Sequence, residues 1–110
     1  ITDVSRIFQA LGELPNNYGV RLYASSRAGN GIVIVSMEGE ISPLIEATRS
    51  LHNLVSSLKG NLMIQDAPSY VKSQVDVWGE IGAPLKVMAR LKSLFDPNNI
   101  LNPGRFVGGI

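Results

Sequence analysis

Val20-Arg21-Leu22-Tyr23-Ala24-Ser25-Ser26-Arg27-Ala28-Gly29-Asn30-Gly31-Ile32-Val33-Ile34-Val35 is the stretch from which the architecture can be read. From Tyr18 to Ser26, Val20, Leu22 and Ala24 alternate with Arg21, Tyr23 and Ser25, the period of two expected of a strand with one solvated face. Ala28-Gly29-Asn30-Gly31 supplies residues that tolerate positive φ at little cost, as a tight hairpin requires. Ile32 to Val35 is β-branched throughout and apolar on both faces, the pattern of a central strand covered on both sides.

The flanking segments read as helices. From Asp3 to Leu14, Val4, Ile7, Phe8 and Leu11 form one stripe, Asp3 is placed to cap, and Pro15 is expected to end the helix. Ser42-Pro43 opens the longest helix, with Leu44, Ala47, Leu51, Leu54, Val55 and Leu58 on one side, Arg49, Asn53 and Ser56 away from it, and Gly60 as terminator. Leu62-Met63-Ile64 reads as a short third strand closed by Asp66-Ala67-Pro68. The order helix, strand, strand, helix, strand suits a crossover packed on a sheet. The fold class is α+β: a small antiparallel sheet with helices packed on one face, ferredoxin-like. Residues 69–82 show no clear period. Pro84 to Phe95 is a further helix with Leu85, Met88, Leu91 and Phe95 on one face, stopped by Asp96-Pro97.

With 110 residues, 45% of them hydrophobic, the chain fits one domain, 1–110, with an ordinary core. Ten basic against nine acidic side chains provide no field for nucleic acid. The absence of cysteine removes disulfides, thiolate nucleophiles and cysteine–zinc sites. One histidine, His52, removes any two-histidine metal site. The longest apolar run is far short of the roughly 20 residues of a membrane helix. Ile1 stands first and no signal peptide precedes it, so the expectation is a soluble, cytoplasmic domain cut from a longer chain.

Each candidate site has an ordinary alternative. His52 sits at the edge of the long helix's apolar stripe, where a structural histidine is expected, and no serine or cysteine partner for a base is identifiable. Residues 28–31 lead into a strand rather than a helix and lack a lysine, so they form a turn and not a phosphate loop. Glu38 and Glu40 share a face if extended, but stand just before a helix, where solvated carboxylates are common. Lys86, Arg90 and Lys92 make the last helix basic on its polar face, a solvated face by default. Trp78 is either core or part of a docking surface.

The informative run is Leu91-Lys92-Ser93-Leu94-Phe95-Asp96-Pro97-Asn98-Asn99-Ile100-Leu101-Asn102-Pro103-Gly104-Arg105. It is a helix end followed by two proline-fixed turns, with Asp96 and Asn102 biased toward extended geometry by the prolines after them. So constrained a tail suggests docking rather than fraying. The run resembles the C-terminal signature of FAD-linked oxidases, the group that includes vanillyl-alcohol oxidase, D-lactate dehydrogenase and glycolate oxidase. Arg27-Ala28-Gly29-Asn30-Gly31 is similar to the Gly-His-Ala-Gly-Asp-Gly hairpin of that family.

The resemblance implies a C-terminal cap domain that covers a flavin, with the FAD-binding domain N-terminal to it and absent from these residues. FAD would belong to the full-length protein and not be held tightly by this part alone. Asn102 and Arg105 match the tail that returns toward the cofactor. Arg27 could pair with the carboxylate of a small 2-hydroxy acid, since a guanidinium suits bidentate contact. No catalytic residue is identifiable. The family's metal-using members have histidines where Arg27 and, shortly beyond, Ile34 stand, so no metal site is expected. The resemblance is nearest to the metal-poor, FAD-binding component of bacterial glycolate oxidase. It implies further glycolate oxidase subunits as partners and a cytoplasmic place, or one peripheral to the inner membrane through them. The rival reading is a free-standing ferredoxin-like module that binds an effector or partner without catalysis.

Overall fold

The computed structural model describes residues 2–110. Helix α1 spans Thr2–Tyr18, strand β1 Arg21–Arg27, strand β2 Ile32–Glu38 and helix α2 Ile41–Ser57. A short helix α3, Ser69–Lys72, and helix α4, Pro84–Phe95, follow. The architecture is α+β, with one two-stranded antiparallel sheet.

The hairpin forms where the alternation and the turn residues place it. Ala28–Asn30 make one 3-10 turn and Gly31 leaves it with φ +72°, a conformation that penalises side chains. The register pairs Leu22 with Met37, Ala24 with Val35 and Ser26 with Val33. Leu22, Ala24, Val33, Val35 and Met37 pack against a buried cluster of Leu11, Leu14, Val20, Ala47 and Leu51, contributed by the two long helices and the residue leading into β1. The opposite face carries Tyr23, Ile32 and Ile34, each about half exposed. β2 is therefore covered on one face and paired on one edge, not on both sides as its composition predicts.

Helix α1 runs through Pro15 instead of stopping there. Leu14 is buried and Tyr18 packs on the core, so tertiary contact retains the turn that follows the proline, and Gly19 N–H then bonds the Pro15 carbonyl at 2.9 Å. Asp3 lies inside the first turn rather than capping it. The inward stripe is Ile7, Leu11, Leu14 and Tyr18, rotated from the expected Val4, Ile7, Phe8 and Leu11 so that Phe8 is exposed.

Helix α2 begins at Ile41, with Glu40 at the cap position and no side-chain cap bond from it. Its buried residues are Ile45, Ala47, Thr48 and Leu51. The terminator is Lys59 at φ +56°, one residue before the expected Gly60, whose N–H bonds the Val55 carbonyl at 2.9 Å. Beyond it, residues 61–65 are not part of the sheet. Leu62 and Ile64 are half-buried while Met63 and Gln65 are exposed, a strand's alternation without a ladder. Their neighbour is the 76–79 turn: Ile64 N–H donates to the Val77 carbonyl at 2.8 Å, and the Asn61 amide donates to the Trp78 carbonyl at 3.1 Å. Gly79, at φ +71°, closes this contact, and a Cβ there would collide with Asn61 Oδ1.

The whole is elongated, 48 × 32 × 20 Å, with a radius of gyration of 15.9 Å against about 13 Å for a compact chain of this length. It exposes 7931 Å², where a closed monomer of this size exposes about 6,000 Å².

Two substitutions test this account by thermal denaturation. Lys59→Gly removes the penalty of a side chain in left-handed geometry and is expected to stabilise by about 0.5–1 kcal/mol. Gly79→Ala meets both a positive φ and the Asn61 side chain, and is expected to destabilise by about 1–3 kcal/mol.

Candidate functional site

Pro84 begins α4, and Lys92, near its end, reaches Asp96 one turn on. No residue of the helix is fully buried. Its inward side is Leu85, Met88, Ala89 and Lys92, all half-buried, while Val87, Leu91, Leu94 and Phe95 form an outward apolar stripe. Leu91 and Phe95 thus leave the face on which their spacing groups them with Leu85 and Met88, because the chain after Asp96 folds back along Leu85 and Lys92.

Asp96 organises that return. It is buried, its Oδ1 accepts from Ile100 N–H at 2.9 Å, and its Oδ2 accepts from Leu101 N–H at 2.9 Å and from the Lys92 ammonium. Lys92 also donates to the Leu101 carbonyl at 2.6 Å. Lys92 is therefore not part of a solvated basic face; only Lys86 and Arg90 are exposed there. The Lys92 hydrogen bond, helped by the two backbone amides and the nearby charge, lowers the Asp96 pKa from 3.8 to about 2, against the opposing effect of burial.

Past this node, Asn102 adopts φ +47° instead of the extended geometry its proline favours. Asparagine tolerates the left-handed region. Arg105 N–H bonds the Asn102 carbonyl at 3.2 Å, so Asn102-Pro103-Gly104-Arg105 is a turn with proline second and positive-φ Gly104 third, the type II residue pattern. Phe106 then meets Trp78 edge to face, with ring centroids 5.3 Å apart, and Val107 is buried. Trp78 thus belongs to the contact that closes the tail.

Asn102 and Arg105 project from the tail and Arg27 from the end of β1, all three exposed. No hydrogen bond or ion pair among the described residues joins Arg27 to either tail residue. Two depressions lie elsewhere: an open one of about 450 Å³ along Ala89, Arg90, Ser93 and Leu94, and one of about 320 Å³ that includes His52, Lys59, Asn61 and Glu80. Arg27, Asn102 and Arg105 line neither depression. No group of three metal-ligating side chains converges among the described residues. His52 Nε2 lies 3.0 Å from the Asp76 carbonyl, a bond that ties α2 to the 76–79 turn. Glu38 pairs with Arg21 at 3.3 Å, and Glu40 stands at the start of α2.

From the sequence, Asp96 reads only as a helix stop. A signal for more is present: lysine four residues before an aspartate at a helix end, followed by Pro-Asn-Asn.

Residues 78–106 match the family described as FAD linked oxidases, C-terminal domain. The match begins at Trp78 and ends at Phe106, the two rings whose contact closes the α4–tail unit. The chain is also 31% identical over 107 residues to a D-lactate dehydrogenase of Archaeoglobus fulgidus, an alignment covering 94% of this chain and 24% of that protein. The chain thus spans about a quarter of the length of that curated relative. No solved structure matches it. Residues 78–106 are thus similar to a C-terminal domain whose family name includes FAD, and the chain as a whole to part of a D-lactate dehydrogenase. No helix among the described residues is long and apolar enough to cross a membrane.

Because the Asp96 pKa is lower folded than unfolded, its contribution to stability is complete above about pH 4 and disappears as pH falls through about 2. Asp96→Asn places an amide NH₂ among the Lys92 and backbone donors. It should flatten the dependence of the melting temperature on pH in that window and speed hydrogen exchange at the Ile100 and Leu101 amides.

Proposed function

We propose that this chain is the C-terminal cap of an FAD-dependent oxidoreductase acting on a small 2-hydroxy acid, of the type of the FAD-binding component of bacterial glycolate oxidase. The observation that carries the proposal is the α4–tail unit. Its Lys92–Asp96 node holds residues 96–101 in one conformation, while Leu94, Phe95, Ile100 and Leu101 stay largely exposed around it. A fixed backbone carrying an apolar surface suits docking on further polypeptide. The occupant in this reading is the FAD-binding domain of the same protein.

The chemistry FAD supplies when bound is acceptance of a hydride. Asn102 and Arg105, held by the turn at Pro103-Gly104, contribute polar donors on the cofactor side. Arg27, at the tip of the hairpin, binds and orients the substrate carboxylate, for which a planar guanidinium offers two parallel donors. The apolar stripe of α4 excludes water from the joint between the two parts. The partners are that FAD-binding domain and the other glycolate oxidase subunits, and the place of action is the cytoplasm or the inner-membrane surface reached through those subunits.

The test uses the longer polypeptide that contains this chain. It should purify with FAD, and glycolate or D-lactate should reduce it. Arg27→Ala should raise KM for the acid by about 10- to 100-fold, the value of a charge-assisted pair, with folding unchanged. Arg105→Ala should lower flavin retention. The 110-residue chain alone should carry no stoichiometric flavin and should self-associate. A yellow, monodisperse 110-residue protein would overturn the proposal, as would a flavin-free longer one.

A further inference from the structure

The hairpin has one face turned away from the core, and the register fixes what stands on it. Leu22 and Ala24 of β1 and Val33, Val35 and Met37 of β2 pack inward. Alternation therefore puts Arg21, Tyr23, Ser25 and Arg27 on the other side, together with Ile32, Ile34, Ser36 and Glu38, all of them exposed. Across the ladder, Arg21 faces Glu38, Tyr23 faces Ser36, Ser25 faces Ile34 and Arg27 faces Ile32. Isoleucines at 32 and 34 break the polar alternation expected of a solvated face.

The arginines at the two ends of this face differ in their neighbours. Arg21 meets a carboxylate on the opposite strand and pairs with Glu38 at 3.3 Å. Arg27 meets an isoleucine there, and no ion pair among the described residues involves it. Its guanidinium is left for a carboxylate from elsewhere, and whatever that carboxylate carries lies beside Ile32.

The hairpin tip is held by its own side chains. Ile32 N–H donates to Asn30 Oδ1 at 3.3 Å, and the Ser26 hydroxyl donates to the Ile32 carbonyl at 3.1 Å. Both backbone groups of Ile32 are thus engaged, which sets the direction in which its side chain leaves the strand. Val33 and Val35, packed on the core, hold the rest of the apolar stretch in the same register.

We propose that Ile32 and Ile34 receive the side chain of the acid whose carboxylate Arg27 binds, so that 2-hydroxy acids with an apolar side chain are preferred over glycolate, which has none. Side chains opposite one another in a ladder stand about 5 Å apart, and Ile34 follows Ile32 by about 7 Å on the same face. An acid held at the guanidinium therefore meets Ile32 with its third carbon and Ile34 only with a longer chain. Beyond them Ser25, Tyr23 and Ser36 present hydroxyls, which end the apolar floor. A charged or hydroxylated side chain lying on the two isoleucines would lose water and gain no partner.

This rests on Arg27 as the ligand of the carboxylate, and binding measurements separate the two. Unsubstituted acids from acetate to pentanoate lack the hydroxyl, so equilibrium dialysis of these acids against the longer polypeptide reads binding without turnover. Affinity should rise about 4-fold for each of the first added methylenes, the value of burying one CH₂. Among the matching 2-hydroxy acids kcat/KM should follow the same order, with D-lactate above glycolate. Ile32→Thr keeps the β-branched shape that a strand favours and should remove most of the first step in affinity, whereas Ile34→Thr should remove the later ones. If Arg27→Ala weakens binding while affinity is flat from acetate to pentanoate, the carboxylate reading stands and the preference falls. A series that rises undiminished in both threonine variants would also overturn it, by placing the side chain elsewhere. If Arg27→Ala changes no affinity, the reading of Arg27 falls and the preference with it.

Discussion

Ala47 has no exposed surface, and the folded part of the chain depends on that. It lies on α2 in the cluster that holds Leu11 and Leu14 of α1, Val20 before β1, and Leu51. A side chain of one methyl group at that point lets the helices and the sheet close on one another, since interiors are packed too densely to absorb extra methylenes. The cluster is small for a chain of this length. It organises residues from α1 to Leu62 and leaves the remainder to be held by other means.

Those means are polar and local. α4 buries nothing completely, so its position comes from Leu85 beside Gly108, from the Trp78–Phe106 contact, and above all from the Asp96 carboxylate. One buried anion with a lysine and two amides as partners replaces what apolar packing would do elsewhere, and does so with direction, because each acceptor position is taken by a particular donor. The result is an exposed apolar surface on a backbone held by defined hydrogen bonds.

Local signals are legible wherever a residue's own backbone preference decides. Pro84 and Asp96-Pro97 bound α4 as expected, and Gly31 closes the hairpin turn because few residues accept its positive φ. Pro15 misleads because Leu14 and Tyr18 gain enough by burial to carry the helix through it. Helical spacing makes Lys92 a surface charge, since spacing does not reveal that the chain returns over it. The proline after Asn102 points to extended backbone, without the turn that asparagine's tolerance of left-handed geometry permits. Of the candidate site residues, all exposed, Arg27 stands at the end of β1 while Asn102 and Arg105 share one turn of the tail.

The hairpin, the helix that follows it, the limits of α4 and the C-terminal run that matches the oxidase family are all written in short segments. Proline, glycine, β-branching and spacing are enough to set them, because each acts on the backbone of its own neighbours. Which faces are buried, that Asp96 is the centre of the tail, and that residues 61–65 stay out of the sheet emerge only when the chain is folded. Burial and edge pairing depend on which distant segments meet, and no window of neighbouring residues contains that information.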